Sequence, residues 1–355
     1  MDAIETEPEV ILGVDTHLDC HVGVVIDVRG RVQGTLSIAT NAEGYQKLLD
    51  WALSFGCLHR AGVEGTGTYG AALTRVLEGR GVRVIEVNRP DRSRRRLRGK
   101  SDPTDAESAA RSVLAGQAQA LPKSQNGLAE ALRTLSVARR SAVKAKTPAM
   151  NQLRSLLASA PPWLRERVLQ AKPAQCVAAC EALSECDSKT SPELASLQLT
   201  LRLLAKRWVA LEQELQVLDR QFGRLTKLAA PRLLSRFGVG PQTAATLLLT
   251  AVDNPTRLRN EAALAALCGV SPLEASSGKT QRHRLNRGGQ RQANNALWTI
   301  AMVRMRSEPR TQIYVDRRTR EGLSKKEIHR CLKRYIVREL YPLILADLKD
   351  SRCLT

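Results

Sequence analysis

Two aspartates, Asp102 and Asp105, stand three residues apart directly after a basic run. That run carries Arg89, Arg92, Arg94, Arg95, Arg96, Arg98 and Lys100. Arginines of this density attract a phosphate backbone, whereas two acids repel one unless a cation stands between them. Two more acids follow short apolar runs: Asp15 in "GVDTHLD" and Glu64 in "GVEGTGTYG". Carboxylate oxygens are hard donors, so four of them at one point would take Mg²⁺ or Mn²⁺. Ions held this way serve phosphoryl transfer by activating a nucleophile and stabilising the leaving oxygen. Taken singly, each acid has a plain explanation. An Asp at a strand end is a turn residue, Asp102 is a helix cap, and Asp105 gains from the helix dipole. Only convergence makes them a site, with His17 and Asp19 close enough in sequence to assist.

Convergence depends on the elements around them. "VILGVDT" (10–16), "HVGVVIDV" (21–28) and "RVQGTLSIA" (31–39) read as three strands, with a hairpin turn at Arg29-Gly30. "AEGYQKLLDWALSF" is an amphipathic helix, "RAGVEG" (60–65) a strand, "YGAALTRVLEGRG" a helix and "VRVIEVN" (82–88) a strand. "DPTDAESAARSVLAG" is a helix with Asp102 as its expected N-cap and Pro103 at its first position. An antiparallel three-strand start followed by crossover units is the order of an RNase H-like domain. In that order the first and fourth strands are neighbours, so Asp15, Glu64 and the first turn carrying Asp102 and Asp105 can meet. "GKS" at 99–101 is no phosphate loop, because Arg94 stands where the motif needs glycine.

The rest is α-helical by composition. We expect three parts: an α/β domain over 1–124, a helical linker and coiled coil over 125–230, and an all-α domain over 231–355. Between 192 and 228 apolar residues recur at Leu194, Leu197, Leu201, Leu204, Trp208, Leu211, Leu215, Leu218, Phe222 and Leu225. Their alternating steps of three and four predict a coiled coil that packs within the chain or, as we favour, pairs two chains. "GVGPQTA" places glycines at a helix start, where backbone N–H groups suit a phosphate. "LEASSGKTQRHRLNRGGQR" holds Ser276 and Ser277 among Lys279, Arg282, Arg284, Arg287 and Arg291. A serine is a poor nucleophile until a base or metal activates it, and by itself "SSG" is an ordinary loop.

The chain has 355 residues and a formal net charge of +20, with aromatics at 3%. Charge of that size, clustered as here, points to a polyanion partner. The acidic N-terminus has no apolar segment of a signal peptide, and no apolar run could span a bilayer, which predicts a cytoplasmic protein with no membrane partner. The eight cysteines would then be reduced, and Cys176, Cys180 and Cys186 suit packing better than zinc, lacking a C-x-x-C pair or nearby His.

"GVDTHLD", "GVEGTGTYG" and "GKSDPTDAESAA", then the heptads, then "GVGPQTAATLL" and "LCGVSPLEASSGKTQRHRLNRGG", resemble the DEDD transposases of bacterial insertion sequences, the bridge-RNA-guided recombinases. The resemblance runs through nearly the whole chain in order. It implies a RuvC-like domain whose four metal-holding acids correspond to Asp15, Glu64, Asp102 and Asp105. It also implies a C-terminal transposase domain with a serine nucleophile at Ser277, with Ser276 as rival. The implied partners are target and donor DNA, a guide (bridge) RNA and further copies of the chain, dimer or tetramer, whose acids and serine combine between subunits. On this reading DNA is cut and rejoined through a phosphoserine intermediate in the bacterial cytoplasm. A metal-dependent nuclease of the junction-resolvase type, using activated water, is the alternative.

Overall fold

The structure is a computed structural model that describes residues 8–87, 101–123, 127–184, 191–252, 258–279 and 283–352. The basic run from Arg89 to Lys100 and Arg282 lie outside these residues. By internal contacts the chain divides into two compact units, Met1–Gln125 and Asn126–Thr355.

The first unit is a mixed α/β fold. Strands β1 (Glu9–Thr16), β2 (Cys20–Asp27), β3 (Val32–Ala39), β4 (Cys57–Glu64) and β5 (Arg83–Val87) form one sheet in the order β3-β2-β1-β4-β5. The first three pair antiparallel; β1 with β4 and β4 with β5 pair parallel. This order is consistent with an RNase H-like domain, and it places β1 beside β4 as the sequence predicts. Helices α1 (Ala42–Leu53) and α2 (Ala71–Gly79) cover one face, and α3 (Asp102–Leu114) covers the other. Strand alternation divides β1 between them. Val10, Leu12 and Val14 pack with Leu48, Leu49, Leu73 and Leu77 of α1 and α2. Ile11 packs with Ala106, Ala109 and Ala110 of α3.

Gly13 and Gly62 are partners in the β1–β4 register, and both face α3. A Cβ on Gly13 would lie 2.0 Å from the Ala106 carbonyl oxygen, and one on Gly62 2.7 Å from that of Ala109. The helix backbone therefore rests directly on two glycines. Its alanines supply the matching flat surface.

The second unit is helical. It contains α4 (Gly127–Ala158), α5 (Pro162–Val168), α6 (Pro173–Glu181), α7 (Pro192–Ala229), α8 (Pro231–Leu234), α9 (Pro241–Val252) and α10 (Glu261–Leu267). A two-stranded hairpin, β6 (Leu273–Glu274) and β7 (His283–Arg284), follows. Then come α11 (Arg291–Ser307), α12 (Pro309–Arg320) and α13 (Lys325–Arg352). The apolar stripe of α7 is spent largely inside the chain, the packing that its heptads allow beside the favoured pairing of two chains. Leu201 is fully buried, and Leu194, Leu197, Leu204 and Trp208 pack beside it against α4, α5 and α6. Phe222 and Leu132 join a second core with α9, α11 and α13. Arg139 pairs with Asp219 and Lys146 with Glu212. Partners fall on α7 as positions rise on α4, so the two long helices run antiparallel. A 3.5-residue period records that a helix has a long partner but not which chain supplies it.

Cys176 and Cys180 are buried among leucines and valine, as packing residues. The apolar surroundings push the Cys180 thiol up to about 12. In "GVGPQTA", Gly238 adopts φ +78°, and the Gly240 N–H donates to Thr243 Oγ1 at 3.0 Å. That amide is thus already occupied. Among the described residues no helix is long and apolar enough to cross a membrane.

Candidate active site

Asp15 is the last-but-one residue of β1, two residues beyond Gly13 and on the same face of the sheet. It therefore continues the line of contact with α3 to the helix's first turn. Glu64 ends β4, two beyond Gly62, and by the same alternation faces the same side. Parallel pairing of Val14 with Val63 brings Glu64 level with Asp15. The Thr16 hydroxyl donates to the Glu64 carbonyl at 2.8 Å and ties the two strand ends together.

Asp102 is not the N-cap that the sequence predicts. Ser101 holds that position in extended backbone, and Asp102 is the first helical residue with Pro103 after it. The Ser101 hydroxyl pairs with that of Thr104 at 2.8 Å. Proline fits either of the first two helical positions, since neither amide has an intrahelical acceptor, so the sequence pattern can shift by one residue, although the Ser101 side chain makes no capping hydrogen bond. The consequence is chemical: the Asp102 carboxylate turns to the strand ends.

His17 Nε2 lies 3.2 Å from Asp15 Oδ2 and 3.4 Å from Asp102 Oδ1. One N–H stands between two carboxylates, where a cation would also sit. Donor atoms of Asp15, His17 and Asp102 all lie within 4.8 Å of one another, a spacing able to hold a metal ion. Asp15 is 6% exposed, and burial pushes its carboxyl above the ordinary range. The charges of Asp105 and Asp102 push in the same direction, and His17 pulls against them. Asp105 is also buried, one turn along α3. Three of the four acids thus feel one another. Glu64 shares their face and sheet edge but lies outside the tight Asp15–His17–Asp102 group. His17 enters that group although sequence reasoning gave it only an assisting place; its signal was the i, i+2 spacing to Asp15 just past a strand end.

In the other unit, Ser276 and Ser277 are exposed in the connection between β6 and β7, before Gly278 at φ +56°. Lys279, Arg284, Arg287 and Arg291 are exposed around the same hairpin and the start of α11. The hairpin thus carries two hydroxyls with at least four cations in reach of solvent.

Comparison with known proteins gives three matches. A family model of the DEDD type from IS110 elements, described as "Transposase", matches residues 12–162. A second, described as "Transposase IS116/IS110/IS902 family", matches residues 230–316. The "Insertion element IS110 uncharacterized 43.6 kDa protein" of Streptomyces coelicolor is 30% identical over 163 residues. That alignment covers 45% of this chain and 39% of the relative, less than half the length of either. The four acids and α3 fall inside the first match and the serine hairpin inside the second, and the chain belongs to the transposase family of IS110-type insertion elements.

Proposed function

We propose that the chain is an RNA-guided, site-specific DNA recombinase that moves an insertion sequence. Residues 1–124 would form the RuvC-like acid site, 125–230 the helical linker, and 231–355 the serine-bearing transposase part. The observation that carries the reading is the gathering of Asp15 and Asp102 around one cationic position, with Asp105 buried beside them.

The donor set fits a divalent cation. Its oxygens are hard, and a buried carboxylate repelled by two others is relieved by positive charge. Asp15, Asp102, Asp105 and Glu64 would hold Mg²⁺ or Mn²⁺. When bound, such an ion neutralises charge on the phosphate oxygens and on the leaving oxygen. The nucleophile is the Ser277 hydroxyl, with Ser276 as the neighbouring candidate. Its Oγ forms a new P–O bond and loses its proton, while the strand's own P–O bond breaks and the departing oxygen takes up a proton. The resulting phosphoserine conserves the bond, so a hydroxyl of another strand rejoins it by the reverse step without ATP. Lys279, Arg282, Arg284, Arg287 and Arg291 hold the phosphate during both steps.

The net charge of +20 is shared between DNA and a structured guide RNA that pairs with target and donor. The basic run 89–100 and the helix 128–157 would contact these partners. Copies of the chain assemble along the helix 192–229, whose outer face keeps Leu199, Leu203 and Val217 exposed. The protein acts in the bacterial cytoplasm, on the nucleoid when DNA-bound. Incubation with the element's DNA, its flanking transcript and Mg²⁺, followed by denaturation, tests the scheme. A covalent protein–DNA adduct is expected. Asp15→Ala should abolish it, and so should Ser277→Ala or Ser276→Ala, which assigns the nucleophile. Cut strands with no adduct would make water the nucleophile instead.

A further inference from the structure

A second site lies in the helical unit, away from the serine hairpin in sequence. The turn between α8 and α9, together with α11, α12 and α13, encloses an open cleft of about 720 Å³. Its composition is unusual for this chain. Of 3 Phe, 4 Trp and 5 Tyr in the whole sequence, Phe237, Tyr314 and Tyr335 line this one cleft. Five arginines line it against two glutamates.

The rings are presented rather than buried. Phe237 is 50% exposed and Tyr335 53% exposed. They are also fixed. Tyr335 meets Tyr314 edge to face at 5.8 Å, and the Arg317 guanidinium lies 5.5 Å from the Tyr314 ring centre. Arg304, 6% exposed, forms the floor. Its Nε donates to the Phe237 carbonyl at 3.0 Å, and its two terminal nitrogens donate to the Glu339 carboxylate at 2.7 and 3.1 Å. One buried side chain thereby locks the turn that carries Phe237 to the helix that carries Tyr335. Gly238 at φ +78° lets that turn close over the Arg304 stem.

The charge is left over after these internal pairs. Glu339 is committed to Arg304, and Glu308 accepts from Thr311. Among the described residues Arg236 and Arg310 form no ion pair; their charges act on Glu339 only at a distance, and both are exposed. Rigid aromatic faces with unspent arginines at their edge match a nucleic acid whose bases are free to stack. A duplex cannot use the rings, because its bases already stack on one another. An acidic peptide would use the arginines and leave the aromatic faces idle.

We propose that this cleft binds single-stranded nucleic acid, with a base stacked on Tyr335 or Phe237 and the adjoining phosphates on Arg236 and Arg310. The inference rests on the reading of the chain as a nucleic-acid recombinase and adds a place in the helical unit where an unpaired strand is held.

The test uses the full chain and a twelve-nucleotide single strand containing 2-aminopurine, titrated at 0.15 M salt against the matching duplex. Stacking should quench the probe on binding, and the single strand should bind more tightly than the duplex. Tyr335→Ala should weaken single-strand binding about 5- to 150-fold and remove the quenching. Tyr335→Phe should restore both, and Arg310→Ala should lower the salt dependence of binding. Because Tyr335 is half exposed, its variants should keep the helical circular dichroism of the parent. Equal affinity for duplex and single strand, or tight binding of a polyglutamate peptide that displaces the oligonucleotide, would overturn the proposal. So would Tyr335→Ala binding and quenching like the parent. Asp15→Ala separates the two readings: it should abolish the covalent adduct and leave oligonucleotide binding at this cleft unchanged.

Discussion

Gly13→Ala should uncouple the acids without touching any of them. The added Cβ would lie 2.0 Å from the Ala106 oxygen, 2.5 Å from the Ala110 nitrogen and 2.8 Å from Ala110 Cβ, where ordinary contact is 3.4–4 Å. Helix α3 must therefore retreat by about 1 Å or more, since β1 is held on both sides by β2 and β4. Overpacking of this kind costs about 1–3 kcal/mol, and the upper end applies because the atoms met are backbone. For a unit of this size that lowers the melting temperature by roughly 10 °C. Asp102 and Asp105 ride on the displaced helix, and about 1 Å of misplacement in a reacting constellation costs on the order of 100-fold in rate. Thermal unfolding with and without Mg²⁺ reads both effects. On the proposed metal site, Mg²⁺ at 100 times its Kd should stabilise the parent by about 2.7 kcal/mol; the variant should melt lower and lose most of that gain. Gly79→Ala, whose Cβ meets nothing within 4 Å, is the control. Parent-like melting and an undiminished Mg²⁺ gain in Gly13→Ala would refute the seating of α3 on the glycine pair.

Asp15→Asn should raise the melting temperature of the metal-free protein. Burial lifts the Asp15 carboxyl, so its ionisation costs stability from about pH 3.9 upward, fully so above the folded value; the variant should flatten that part of the stability curve, and an unchanged curve would count against a buried, repelled carboxylate. Glu339→Gln leaves the buried Arg304 without its charge partner; because Glu339 itself is partly exposed, the expected cost in denaturant unfolding at pH 7 is about 1–2 kcal/mol. Arg304, then the charges of Arg236 and Arg310, hold the Glu339 carboxyl below the usual range. Its contribution is therefore present above the unfolded value near 4.3 and lost as pH falls through the folded one, and the Gln variant should show a weaker acid transition. Along α7 the two faces should separate: Leu201→Ala should cost about 2–5 kcal/mol with no change in assembly, whereas Leu203→Asp with Val217→Asp should lower the mass in light scattering at unchanged stability.

The sheet was legible because its strands alternate or run apolar between turn residues, and because order alone puts the first and fourth strands side by side. Asp15, Glu64 and the first turn of α3 followed from that order. The position of Asp102 was not legible to the residue, since Ser-Asp-Pro satisfies cap rules in two registers. The glycines of "GVD" and "GVE" stood two residues before each acid, yet their meaning is a contact with a helix some 90 residues away for Gly13 and about 50 for Gly62, which spacing cannot express. The heptads of α7 read as a coiled coil favouring two chains; in the structure much of the stripe packs on α4, α5 and α6 of the same chain, because the period alone does not name the partner. The aromatic cleft was invisible because its residues come from four separate segments and carry no motif.

The proposal that Asp15, Glu64, Asp102 and Asp105 hold a divalent cation is tested most directly by Mn²⁺ titration followed by electron paramagnetic resonance. In the parent, free Mn²⁺ signal should disappear with saturable stoichiometry, and Mg²⁺ should displace it. Asp15→Asn and Asp102→Asn should each abolish that saturable binding while the fold persists. Unchanged Mn²⁺ stoichiometry and affinity in both variants would contradict a carboxylate metal centre at these strand ends.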